Sequence, residues 1–214
     1  MSLELFSQIL AGLALVFTIL AFGRRLRSFN ALTRPVDRSS PRGSPQVGVL
    51  YAFTLGMAPW AKESTRRHWM AYTRGVAFHL AIFLGLALFL ASPWLGLFPG
   101  QWRAGLALAT GLGTLFGLAG FAARFAERNL RALSTPDDYF AVLLVSLFLA
   151  AATAALLNLT LLPVFYFVSA LILVYMPLGK IRHCIYYAYS RLFFGKFVGR
   201  RAVLPHSQQG EVIR

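Results

Sequence analysis

Long apolar runs separated by short polar breaks dominate the chain. Five of them are long enough to cross, or nearly cross, a bilayer core, which takes about 20 helical residues at ~1.5 Å rise each. They cover approximately Leu5 to Phe22, Val76 to Leu97, Ala104 to Ala123, Phe140 to Leu157 and Pro163 to Leu178. Hydrocarbon offers no water to satisfy backbone N–H and C=O groups, so these runs predict helices rather than open strands. Their ends carry stop and start signals. Gly23-Arg24-Arg25 closes the first run and Phe98-Pro99-Gly100 the second. Ser134-Thr135-Pro136-Asp137-Asp138 opens the fourth, with two acids at the positive end of the helix dipole. The first run lacks a basic leader and a small-residue cleavage site, so it reads as a retained span rather than a signal peptide.

The expected fold is therefore an all-α integral membrane protein with five transmembrane helices. Residues 1–23 form the first span and 24–74 a basic loop or interfacial segment. Residues 75–184 hold spans two to five, at 76–97, 104–123, 140–157 and 163–184; residues 185–214 form a basic, aromatic tail. Within 24–74, the Pro-, Ser-, Gly- and Arg-rich part from Arg34 to Gln46 reads as loop. Val47 to Arg74 mixes apolar residues with cations, and suits an amphipathic helix in the interface or a helical lead into span two. The tail interleaves Tyr186, Tyr187, Tyr189, Phe193, Phe194 and Phe197 with cations, which predicts that helix five runs on past the bilayer. From Pro205 the chain turns polar. Gly113-x-x-x-Gly117 in span three permits close helix approach, as ordinary packed spans often do.

Composition agrees with the pattern. The chain of 214 residues is 57% hydrophobic and 13% charged, with mean hydropathy +0.62. A soluble domain is usually about 25% charged, so most of this surface faces something other than water. Charge adds orientation. Lys and Arg number 21 against 7 acids, and all the cations except Arg103 fall in the segments after spans one, three and five. Cations collect on the cytoplasmic side, which places the N-terminus outside and the C-terminus in the cytoplasm. Because they flank apolar runs instead of forming one face of a polar domain, the basic balance does not point to nucleic acid. A single cysteine, Cys184, excludes an intramolecular disulfide and a Cys-rich zinc or iron–sulfur site made by this chain alone.

Chemistry narrows to the histidines. His206 lies in the polar tail and His68 in Ser64-Thr65-Arg66-Arg67-His68-Trp69. His79 sits about one turn inside span two, and His183 just beyond the apolar part of span five. Spans two and five run in opposite directions, so both residues fall near the cytoplasmic side at similar depth. Two imidazoles at matching depth on antiparallel helices meet the requirement of a bis-histidine haem. Arg74, Lys180 and Arg182 stand at the same boundary, where haem propionates would want cations; Phe78, Phe83 and Tyr175 are available for its apolar edge. The plainer reading of each stays open. Lone histidines near helix ends commonly pack or hydrogen-bond, and Lys180-Ile181-Arg182 serves equally as the anchor of a span. His68 lies 11 residues before His79, but a second haem there would need a histidine near Phe194, and none is present.

Two short patterns carry a resemblance. Ala77-Phe78-His79-Leu80 and Met176-Pro177-Leu178-Gly179-Lys180-Ile181-Arg182-His183, together with the five-span topology, resemble the gamma subunit of respiratory nitrate reductase. Relatives of that family are the membrane cytochrome b subunits of heterodisulfide-reductase-type and sulfur-metabolism complexes. The resemblance implies axial haem b ligation by His79 and His183, with Arg74, Lys180 and Arg182 as possible propionate partners. It further implies exchange of electrons with menaquinone or another quinone, a cytoplasmic iron–sulfur subunit and other membrane subunits as partners, and a prokaryotic cytoplasmic membrane. Two-haem members carry further histidines where this chain has Phe89 and, approximately, Phe165, so the resemblance implies one haem here. The competing expectation is a haem-free membrane scaffold. A transporter is disfavoured, since no charged residue lies in the middle of any span.

Overall fold

The computed structural model describes residues 2–33, 38–61 and 63–203. Among them there is no strand, and the helices in chain order are α1 (Leu3–Ala31), α2 (Pro45–Phe53), α3 (Glu63–Arg67), α4 (Trp69–Ala91), α5 (Gly100–Ala126), α6 (Arg128–Leu133), α7 (Pro136–Leu157), α8 (Leu162–Tyr175) and α9 (His183–Arg200). Helices α1, α4, α5 and α7 are long and apolar enough to cross a membrane, and the broken pair α8–α9 makes a fifth span if counted as one. The chain thus has the make-up of a multi-pass helical membrane protein. It divides into two compact units: Met1–Leu26 with Thr73–Arg182, and Arg27–Tyr72 with His183–Arg214. Arg34, Lys62, His206, the tail from Pro205 and Arg214 lie outside the described residues.

The first unit is built around α7. From Phe140 on, this helix is apolar all round apart from Ser146 and Thr153, a pattern that belongs to a helix surrounded by others. It buries Leu144, Val145, Phe148, Leu149, Ala152 and Ala155. Its two hydroxyls are satisfied: Ser146 donates to the Val142 carbonyl (2.8 Å), and Thr153 donates to Leu149 (2.9 Å) while meeting Thr110 of α5 at 2.8 Å. Small residues bring the neighbours close, as helix association in lipid requires. A Cβ at Gly85 of α4 would lie 2.8 Å from the Phe148 ring, and one at Gly113 of α5 would collide with Ala81. Gly117 faces Ser146 and Phe78, so the Gly113–Gly117 pair is used inside the chain.

Helix α1 lays a stripe of Ser7, Ala11, Ala14 and Thr18 into this unit. The spacing of three and four residues keeps these side chains on one face. Thr18 donates to the Leu173 carbonyl of α8 (2.6 Å), and Gln8 donates to the Tyr166 hydroxyl (3.2 Å). Leu5, Leu13, Ile19 and Leu20 point outward, where lipid would accept them.

Several boundaries differ from the sequence reading. Helix α4 begins at Trp69, seven residues before the apolar run, so the lead into span two is helical. The α-helix ends at Ala91, and Ser92–Leu97 continues as a 3₁₀ turn. Pro93 has no N–H to give the ladder there, and Ser92 caps the Phe89 carbonyl at 2.6 Å. Helix five does not run on through His183. It stops at Tyr175, and a separate helix starts at His183. Pro177 supplies no donor, while the Leu178 and Gly179 amides turn back onto the Tyr175 carbonyl (3.0 and 2.8 Å). A side chain at position 179 would run into the Tyr175 ring, so glycine fits this tight turn. Arg25 donates to the Pro177 carbonyl at 3.1 Å.

In the second unit α2 packs against α9 through glycine. A Cβ at Gly48 would stand 2.6 Å from Gly199 Cα, and one at Gly195 would stand 2.6 Å from Val49 Cα. Neither distance is physical, so the two backbones touch only because both helices lack side chains there. The chain before α2 also closes the end of α9: the Arg42 and Gly43 amides donate to the Arg200 carbonyl at 2.9 and 3.1 Å. Ser44 caps α2, accepting from the Val47 amide at 3.4 Å. Two residues past α9, Ala202 has φ 54°, left-handed backbone that costs an alanine about 1 kcal/mol.

Candidate functional site

His79 lies on α4 with its ring exposed, one turn after Gly75. Its Nδ1 is 2.7 Å from the Gly75 carbonyl. A carbonyl can only accept, so this contact selects the tautomer protonated at Nδ1 and places the ring's lone pair on Nε2. A backbone acceptor behind one nitrogen is how ligating histidines are usually oriented. Arg74 is half-buried one residue before Gly75, with its Nε about 4.0 Å from where a Cβ on Gly120 of α5 would stand.

His183 is the first residue of α9 and is exposed. It belongs to the second unit, whereas His79, Arg74, Lys180 and Arg182 belong to the first. Cys184, beside it, is exposed and free. His68 also falls in the second unit, in the turn between α3 and α4, so no unbroken helix carries it in register with His79.

The cations at the end of span five have partners of their own. Lys180 donates to Asp138 Oδ2 at 2.7 Å, and Arg182 reaches the Leu178 carbonyl at 3.4 Å. Asp138 simultaneously accepts the backbone N–H and the hydroxyl of Thr135, both at 2.8 Å. One carboxylate therefore caps α7 and ties its start to the turn that follows α8. Its neighbour Asp137 accepts a short hydrogen bond from the Tyr175 hydroxyl, and the Tyr175 ring packs on Phe140 at 4.9 Å. Of the three aromatic side chains set aside for a haem edge, Tyr175 is thus anchored to α7. Phe78 packs against the core and Gly117, and Phe83 is exposed. The acid pair was legible as a helix start. Its use as a clamp on Tyr175 and Lys180 was not, since the partners lie about 40 residues away in sequence. Asp138→Ala should lower the thermal midpoint of the purified protein in micelles, corresponding to about 1–2 kcal/mol, because a cap and a partly exposed ion pair go together.

The level where two-haem relatives of the resembled family carry their second pair of histidines is filled with phenyl rings. Phe89 and Phe165 are buried and meet edge to face at 6.4 Å, and Phe148 stacks on Phe165 at 5.6 Å. Both positions are core packing. Among the described residues no three His, Cys, Asp or Glu side chains cluster as a metal site would need. A bis-histidine haem needs only two ligands, so this leaves the His79–His183 expectation untouched. No family model, curated protein or solved structure matches the chain.

Proposed function

We propose that the chain is a membrane-anchor cytochrome b subunit of a multi-subunit respiratory complex, with His79 and His183 as the axial ligands of one haem b. The observation that carries this reading is His79 itself. It is an imidazole within an apolar helix, its Nδ1 turned onto the Gly75 carbonyl, so that its Nε2 lone pair suits an axial ligand. Helix α9 opens with His183 directly after Lys180 and Arg182, repeating the combination of imidazole and cations that Arg74 and His79 make on α4. When bound, the haem would supply one-electron transfer between a quinone and a cytoplasmic iron–sulfur subunit. The chain would supply ligands, an apolar lining and cations for the propionates: Arg74 and Arg182, with Lys180 shared with Asp138. The phenyl rings of Phe89, Phe148 and Phe165 are consistent with one haem rather than two. The excess of cations in alternate loops supports an N-terminus outside and a C-terminus in the cytoplasm, with α8–α9 as the fifth span; residence in a prokaryotic cytoplasmic membrane is what the resemblance implies.

A second reading, a haem-free membrane scaffold, draws on the other observation at this end of the molecule. Lys180, Tyr175 and the two acids already satisfy one another within the protein. A reduced-minus-oxidised optical spectrum of the purified protein separates the two. The proposal expects a haem b band at about one haem per chain; a colourless, stably folded preparation supports the scaffold and overturns it.

A further inference from the structure

We propose that the outward face of α9 is a binding surface for anionic lipid headgroups, with Phe193 and Phe197 seated at the interface and Lys196, Arg200 and Arg201 on the phosphates. The inference rests on the membrane character of the chain and is independent of the haem.

The inner face of α9 is already spent. Gly195, Val198 and Gly199, spaced three and four residues apart, are buried, with both glycines against α2. The same periodicity sends Phe193 and Phe197 to the opposite side. Their rings stack on each other at 6.2 Å yet remain 68% and 45% exposed. Helical spacing sets Lys196 and Arg200 beside them, and the Arg201 guanidinium lies 3.8 Å above the Phe197 ring. Phenyl rings ringed by cations on one helix face form the pattern of a helix lying in a headgroup layer.

Charge selects the occupant. The second unit holds twelve of the chain's Lys and Arg residues against three acids. The one acid among its described residues, Glu63, pairs with Arg67. Arg200 donates to the Ser39 carbonyl at 2.6 Å. A surface this basic and this aromatic complements an anionic leaflet, whose potential attracts cations over a short range.

The test uses the full-length protein, with Cys184→Ser and a nitroxide on Phe193→Cys, reconstituted into vesicles of phosphatidylcholine alone or with one third phosphatidylglycerol. Power saturation reads oxygen against nickel-complex accessibility. The expected result is a several-fold higher oxygen-to-nickel ratio in the anionic vesicles. It should fall back when salt is raised from about 0.1 to 1 M, which shortens the Debye length from about 10 to 3 Å. Lys196→Glu with Arg201→Glu should abolish the lipid dependence while α9 keeps its hydrogen-exchange protection; the salt arm covers the case in which that variant misfolds. A water-like ratio in both vesicles overturns the proposal. So does a label shielded only when a soluble protein fraction is added, which would make the face a protein-docking surface. A haem band with a water-exposed label leaves the cytochrome reading standing and removes this one. A lipid-seated label without a band does the reverse.

Discussion

His79→Ala should abolish the haem b absorption of the purified protein, and His183→Ala should do the same. On the proposed assignment each removes one axial nitrogen, and a bis-histidine haem has no third protein ligand to fall back on. The cations should behave differently. Arg74→Gln and Arg182→Gln should keep the band and lower the midpoint potential by tens of millivolts. The reduced haem carries one positive charge fewer than the oxidised form, so a nearby cation favours reduction and its loss disfavours it. Lys180→Gln should act less, because its charge is shared with Asp138. A redox titration separates these outcomes. A band of unchanged intensity in His79→Ala would sink the ligand assignment. Asp138→Ala provides the contrast: it weakens the fold without removing a ligand.

Gly48→Leu should break the second unit while leaving the first intact. Its Cβ alone would press on the α9 backbone at Gly195 and Gly199, and a leucine adds three more carbons beyond it. Overpacking a side-chain interface costs about 1–3 kcal/mol, and here the neighbour is backbone, which cannot rotate away. We expect a loss above ~3 kcal/mol for Gly48→Leu and about 2 kcal/mol or more for Gly195→Ala. Hydrogen exchange should show protection lost over α2 and α9 and retained over α7. Gly12→Ala and Gly105→Ala are the controls of opposite sign. Nothing lies within 4 Å of a Cβ at either position, so alanine should stabilise those helices by about 0.5–1 kcal/mol. Equal losses at all four sites would mean that the α2–α9 crossing is not glycine-dependent.

Glycine also marks where sequence reading succeeded and where it stopped. Gly113-x-x-x-Gly117 stood out because it lies in an apolar run, and it does pack tightly, against Ala81, Ser146 and Phe78. Gly195-x-x-x-Gly199 has the same spacing, yet it sits among cations and aromatic residues and its partner Gly48 is about 150 residues away. Spacing alone reports that a close approach is possible; only the folded chain names what approaches. The outer phenyl pair teaches a related lesson. Phe89 and Phe165 were identified as positions lacking histidine, and the structure adds that the two rings touch across α4 and α8.

The pattern of apolar runs and their flanking signals was enough to determine the membrane class, the approximate placement of the spans and a start for α7 within Ser134–Asp138. These depend on hydrophobicity and on local capping, both of which act within a few residues. His79 and His183 were picked out on the same footing, by residue type at a polar boundary. Tertiary structure decided the rest: the end of α8 at Tyr175, the clamp of Asp137 and Asp138 on Tyr175 and Lys180, and the glycine seam that joins α2 to α9. A helix in lipid chooses its neighbours by fit and by hydrogen bonds between distant residues, because greasiness favours no neighbour over the solvent around it. That choice leaves little trace in the linear order of apolar and polar positions.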